Sequence, residues 1–109
     1  MWLIDPKILC KNHLLGEHNE LHKLVGAINK GKNLKGYYEK KLVDPMLMYF
    51  RHHQLVREML DRNYNHKSEL PLINYKDVPY DIRIDLDKNL LDLLSRCEEC
   101  RKRYEEMRK

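Results

Sequence analysis

Leu14, Leu21, Val25 and Ile28 fall at i, i+7, i+11 and i+14, a stripe of helical period that faces a core. Beside it His13, Glu17, Glu20 and Lys23 fall at i, i+4, i+7 and i+10, so one flank of the same helix collects a histidine, two acids and a base. Asp5-Pro6 opens this helix, since Asp caps and Pro is tolerated at the first helical position. The pattern carries it to about Lys30, with Gly16 as a candidate break. Gly16 and Gly26 each cost about 1 kcal/mol relative to Ala; they mark either close approach of a backbone or ligand, or slack. Asp44-Pro45 repeats the start, and a second helix runs to about Arg62 on Met48, Leu55 and Met59, with Leu47, Val56 and Leu60 one flank over. Arg51, His52 and His53 are expected on its polar side, and Asn63-Tyr64-Asn65 to stop it.

Between these helices lies a lysine-rich loop whose Tyr37 and Tyr38 either stack on bases or sugars or simply pack. Residues 66–84 contain Pro71 and Pro79 and hold no period. They read as an irregular connection, with Leu70, Leu72, Ile73, Val78 and Tyr80 covering apolar surface. A third helix opens near Asp85 on the long stripe Leu86, Leu90, Leu93, Cys97, Tyr104 and Met107. The expected class is all-α: a single domain over residues 1–109 of three main helices with irregular connections and no significant sheet.

Composition agrees, with 42% apolar and 35% charged residues. No apolar run approaches the roughly 20 residues of a membrane span, and the start MWLIDPK lacks the basic-then-apolar order of a secretory signal. A cytoplasmic monomer is expected, nucleoid-associated in a prokaryote. Placement of charge is more informative than its total. Residues 1–62 hold 11 Lys and Arg against 7 acids, whereas residues 63–109 hold 10 of each. The excess concentrates in Lys23, Lys30, Lys32, Lys35, Lys40 and Lys41, against Glu39 alone in that window. Such a patch suits a polyanion, nucleic acid first among them.

Three cysteines are an odd number and argue against a disulfide framework. Cys97-x-x-Cys100 lacks a second pair, so with Cys10 it reads as buried structural cysteine. His18 and His22 at i, i+4 are able to share one ion, but no third ligand is evident unless His52 or His53 arrives through tertiary structure. No metal and no cofactor are expected. The acid pair Glu17 and Glu20 is the more pointed feature. Two carboxylates on one helix face beside a cationic surface suit glycosidic chemistry, stabilising a positive sugar or moving a proton.

The stretch HLLGEHNELHKLVGAI, residues 13–28, resembles the central motif of the pyrimidine-dimer DNA glycosylases of the phage endonuclease V type. That pattern is roughly His-Leu-x-x-Glu-x-Arg-Glu-Leu followed by a basic residue and a small or apolar run. The similarity continues through the lysine-rich loop into RHHQLVREMLDRNYN and covers about the first two thirds of the chain. The resemblance implies an all-helical, metal-independent glycosylase and abasic-site lyase acting on damaged double-stranded DNA. In that chemistry the N-terminal α-amine attacks C1′, an imine forms, and β-elimination nicks the strand. By motif position the acid/base glutamate is Glu20, the nucleophile is the amine of Met1, and His13 and Glu17 orient Glu20 or line the pocket. Lys23, Lys30, Lys32 and Lys35 contact phosphates, Asn19 contacts a base edge, and Trp2 supplies a wedge or stacking surface. Two positions depart from the family pattern: Asn19 stands where arginine is common, and Met1-Trp2 where a small residue begins the chain. The alternatives are a non-catalytic nucleic-acid-binding relative and a helical interaction module.

Overall fold

A computed structural model describes residues 1–66 and 68–109. Five α-helices account for the regular structure among the described residues: α1 (Lys11–Asn29), α2 (Lys35–Glu39), α3 (Met48–Asp61), α4 (Leu86–Arg96) and α5 (Glu98–Met107). There is no strand among them, and the class is all-α. No described helix is long and apolar enough to cross a membrane.

The Asp-Pro pairs act as expected locally, and the second leads directly into α3, but the first does not start α1. Asp5 accepts from the Lys7 amide and Asp44 from the Met46 amide, each closing a 3₁₀ turn, Pro6–Ile8 and Pro45–Leu47. The first turn breaks at Leu9, which is extended, before α1 begins at Lys11. From there α1 runs unbroken through Gly16. Gly31 ends it with φ +71, the Gly31 amide donating to Ile28 and the Lys32 amide to Ala27. Asn63 closes α3 in the same way at φ +64.

The α1 stripe is buried as its spacing requires, with Leu14, Leu21 and Val25 at 0% exposure. It packs on α3 through Met48, Leu55 and Met59. The polar side expected for α3 needs correction. Arg51 is fully buried and His52 nearly so, while His53 and Leu60 face solvent. Positions 48, 51, 52, 55 and 59 form one i, i+3, i+4, i+7 face, so geometry buries Arg51 and His52 and partners make this tolerable.

The expected third helix is two. Cys97 is extended (φ −121, ψ 109), ends α4, and caps α5 by accepting from the Cys100 amide through its sulfur. Leu93 and Cys100 are the buried positions, whereas Leu86 and Met107 are exposed. The lysine-rich loop contains the short helix α2, which the sequence pattern did not predict. The described residues between 66 and 84 are irregular as expected, and the side chains of Asn29 and Tyr49 hold the backbone of residues 71–74. Ile73 is buried there, but Leu72 and Tyr80 are exposed, at 88% and 83%, and cover nothing.

Candidate active site

The chain's first residue reaches the middle of α1. The Met1 amine nitrogen lies 2.8 Å from Glu20 Oε1 and donates to the Leu42 carbonyl at 2.9 Å. Three further carbonyls of the arm are held from outside it. Asn89 Nδ2 on α4 donates to Trp2 at 2.9 Å and to Met1 at 3.3 Å. Arg51 Nη1 on α3 donates to Ile4 at 2.6 Å. Leu3, between these anchors, takes φ +60, a left-handed conformation uncommon for a non-glycine residue. Lys41 has φ +55 immediately before Leu42, where α2 ends. Both turns cost conformational energy, and the surrounding hydrogen bonds hold them.

Glu20 and Met1 sit beside an open cleft of about 530 Å³ lined by Gly16, Asn19, Glu20, Lys23, Leu34 and Tyr37, among others. A Cβ at Gly16 would meet nothing within 4 Å, so the absence of a side chain there widens the cleft and brings no backbone close. Asn19 and Lys23 are exposed at its rim. Leu34 also borders a second cleft of about 540 Å³, where Lys32, Lys35 and Tyr38 lie. Lys30 is exposed at the end of α1. The two tyrosines divide: Tyr37 faces the first cleft, 42% exposed, and Tyr38 packs against the core. Trp2 is half-buried with its ring edge-on to His13, centroids 6.1 Å apart.

Two expected supports of Glu20 are placed otherwise. Glu17 turns inward, where its carboxylate takes both Arg51 Nε and Arg51 Nη2, the latter at 2.9 Å, in a bidentate ion pair with both side chains at or below 1% exposure. It reaches the arm only through Arg51 and the Ile4 carbonyl. Because Glu17 is neutralised by Arg51, the two acids do not act as neighbouring like charges. His13 does not hydrogen-bond to Glu20 among the described residues. Its Nδ1 lies 3.2 Å from Cys10 Sγ and 3.6 Å from Cys100 Sγ. Helix geometry explains both: position 17 is turned about 60° from position 20 toward the core, and position 13, on nearly the same bearing as 20, lies two turns away, about 10 Å along the axis.

Arg51, Asn89 and the Leu42 carbonyl were not anticipated. Arg51 shares the phase of the buried α3 stripe, and Asn89 precedes Leu90 and Leu93 on the inner face of α4, so periodicity carried a signal for both. Nothing local marks a carbonyl such as that of Leu42.

Behind the α1–α3 interface lies a group of histidines. His18 Nε2 is 3.1 Å from His52 Nε2 and 3.0 Å from His66 Nε2. The His22 ring packs on those of His18 and His52, with its Nε2 buried and, among the described residues, without a hydrogen-bond partner. Tertiary structure thus brings His52 and His66, but not His53, to the His18 and His22 pair of α1. Burial, then the neighbouring histidines, lowers His18 below the ordinary imidazole value and His52 to about 4. The rings of His18 and His52 are therefore neutral near pH 7.

A primary amine held against a carboxylate at the edge of a basic cleft, on a helical scaffold, is a site equipped for attack on an electrophilic sugar carbon. The sequence model of the pyrimidine dimer DNA glycosylase family matches residues 1–72, and the chain belongs to that family. No curated protein and no solved structure matches it. The matched segment ends before α4 and α5, so Asn89 and the pair Cys97 and Cys100 lie outside it.

Proposed function

We propose that the protein is a DNA repair glycosylase with abasic-site lyase activity on damaged double-stranded DNA, the UV pyrimidine dimer being its first candidate lesion. The observation that carries this reading is the 2.8 Å contact between the Met1 amine and Glu20. Once Glu20 has accepted a proton from it, the amine lone pair attacks C1′ of the damaged nucleotide. The C1′–N bond breaks and its electron pair leaves with the base. Opening of the sugar ring gives an imine between Met1 and C1′. As the ring opens Glu20 returns its proton to the ring oxygen, and the regenerated carboxylate stabilises the protonated imine and removes a proton from C2′, driving β-elimination of the 3′ phosphate.

The remaining residues serve this chemistry by position. Asn89 and Arg51 fix the arm, and Glu17 holds Arg51. Lys23, Lys32 and Lys35 along the two clefts, and Lys30 at the end of α1, supply phosphate contacts that hold a flipped nucleotide within reach of the amine. Asn19, at the cleft rim, offers a donor and an acceptor to a base edge. Trp2 follows the nucleophile with part of its ring exposed, available for stacking.

Glu20→Gln tests the assignment. Strand nicking of UV-irradiated duplex should fall by about 10²–10⁴-fold, the usual contribution of a positioned acid/base group, while duplex binding persists. Nicking at the wild-type rate by Glu20→Gln would remove Glu20 from the chemistry, and duplex binding without nicking by the wild type would favour a nucleic-acid-binding role.

A further inference from the structure

Two short repeats in the sequence meet in space. Cys10-Lys-Asn-His13 spans the start of α1, and Cys97-Glu-Glu-Cys100 spans the junction of α4 and α5. In each, the first residue is a helix N-cap and the second lies three positions into the helix. The four ligand atoms all lie within 4.8 Å of one another. Cys10 Sγ is 3.8 Å from Cys97 Sγ, and His13 Nδ1 is 3.2 Å from Cys10 Sγ and 3.6 Å from Cys100 Sγ. The cysteines are free, and 3.8 Å is far beyond the roughly 2.05 Å of a disulfide.

We propose that Cys10, His13, Cys97 and Cys100 form a structural zinc site that ties α4 and α5 to the start of α1. A tetrahedral ion with Zn–S near 2.3 Å and Zn–N near 2.0–2.1 Å has S···S edges of about 3.8 Å and S···N edges of about 3.5 Å. The observed separations are of that size. Four protein ligands complete the tetrahedron and leave no open position for water, which makes the role structural and not catalytic. Binding releases one proton from each of the three thiols, and His13 coordinates through neutral Nδ1.

Backbone amides already address the sulfurs. The Cys10 amide donates to Cys100 Sγ at 3.2 Å and the Cys100 amide to Cys97 Sγ at 3.4 Å, which orients both sulfurs. The segment is braced independently of any ion. Arg62, the C-cap of α3, donates to the carbonyls of Pro6 and Leu9, and Arg103 of α5 to that of Lys7. The ligands are therefore held close before metal arrives. Through α4 the ion also steadies Asn89, and with it the Met1 arm.

The test uses the full-length protein, loaded with zinc or with cobalt(II). Elemental analysis should show that Cys97→Ser loses one equivalent of zinc relative to wild type, whereas His52→Asn does not. Wild-type protein loaded with cobalt(II), which needs no variant to fold, should show thiolate-to-metal charge transfer and the intense d–d bands of a tetrahedral sulfur-rich site. Its three thiols should become reactive to a thiol reagent only after chelation. Three observations would each overturn the proposal: natively helical protein with no bound zinc and three reactive thiols, a cobalt spectrum without thiolate bands, or zinc that survives Cys97→Ser and departs with His52→Asn.

Discussion

The Asn89 side-chain amide donates to the carbonyl of Trp2 at 2.9 Å, so a residue on α4 holds the backbone beside the Met1 amine, 87 positions earlier in the chain. Asn89→Ala removes this bond and the longer one to Met1 without emptying the cleft. Loss of one or two such bonds, at about 1 kcal/mol each, should slow single-turnover imine formation by about 5- to 30-fold. DNA affinity should change far less. A variant with weaker binding and an unchanged single-turnover rate would place Asn89 in duplex binding instead.

The buried pair of Glu17 and Arg51 joins α1 to α3 and then, through the Ile4 carbonyl, to the arm. Glu17→Gln leaves the Arg51 charge buried without its counterion. Urea unfolding should show a loss of about 3–5 kcal/mol. The double replacement Glu17→Gln with Arg51→Met should lose less than the sum of the single changes, because no uncompensated charge remains. Additive losses would show that the two side chains are not coupled.

Acidification should act through the histidines. His52 faces His18 and His22 of α1 and His66 and Glu69 of the connection, and in the folded protein its value is about 4 against about 6.5 for a free imidazole. The unfolded chain therefore binds the proton first. Stability from this group is complete above about pH 6.5 and is lost as pH falls toward 4. Urea unfolding across this window, with a chelator present, should show a shallower pH dependence for His52→Gln than for wild type. Equal slopes would show that His52 is not held neutral by the fold.

The α1 core was legible because one period runs through Leu14, Leu21, Val25 and Ile28 without competition. The motif in α1 led to the family from the same stretch. What periodicity left unread were polar side chains that share the buried phase, Arg51 and His52, since their burial depends on partners 34 positions away in the chain. The joint between α4 and α5 was hidden because Cys97 fits an apolar stripe, while its sulfur serves as a cap. His13 matched a motif position, yet its Cys10-x-x-His13 spacing was the better guide to its neighbours. Leu42 contributes only its carbonyl, which depends on the Lys41 turn and leaves no trace in side-chain pattern.

Borohydride trapping on two labelled duplexes, one UV-irradiated and one with an abasic site, with peptide mapping of the adduct, decides whether Met1 is the nucleophile. Reduction should trap an imine on the Met1 amine with both duplexes. An adduct with the abasic duplex alone would contradict the dimer as substrate. With DNA binding intact, no adduct on either duplex, or one mapped to a lysine, would contradict the assignment of Met1 as nucleophile.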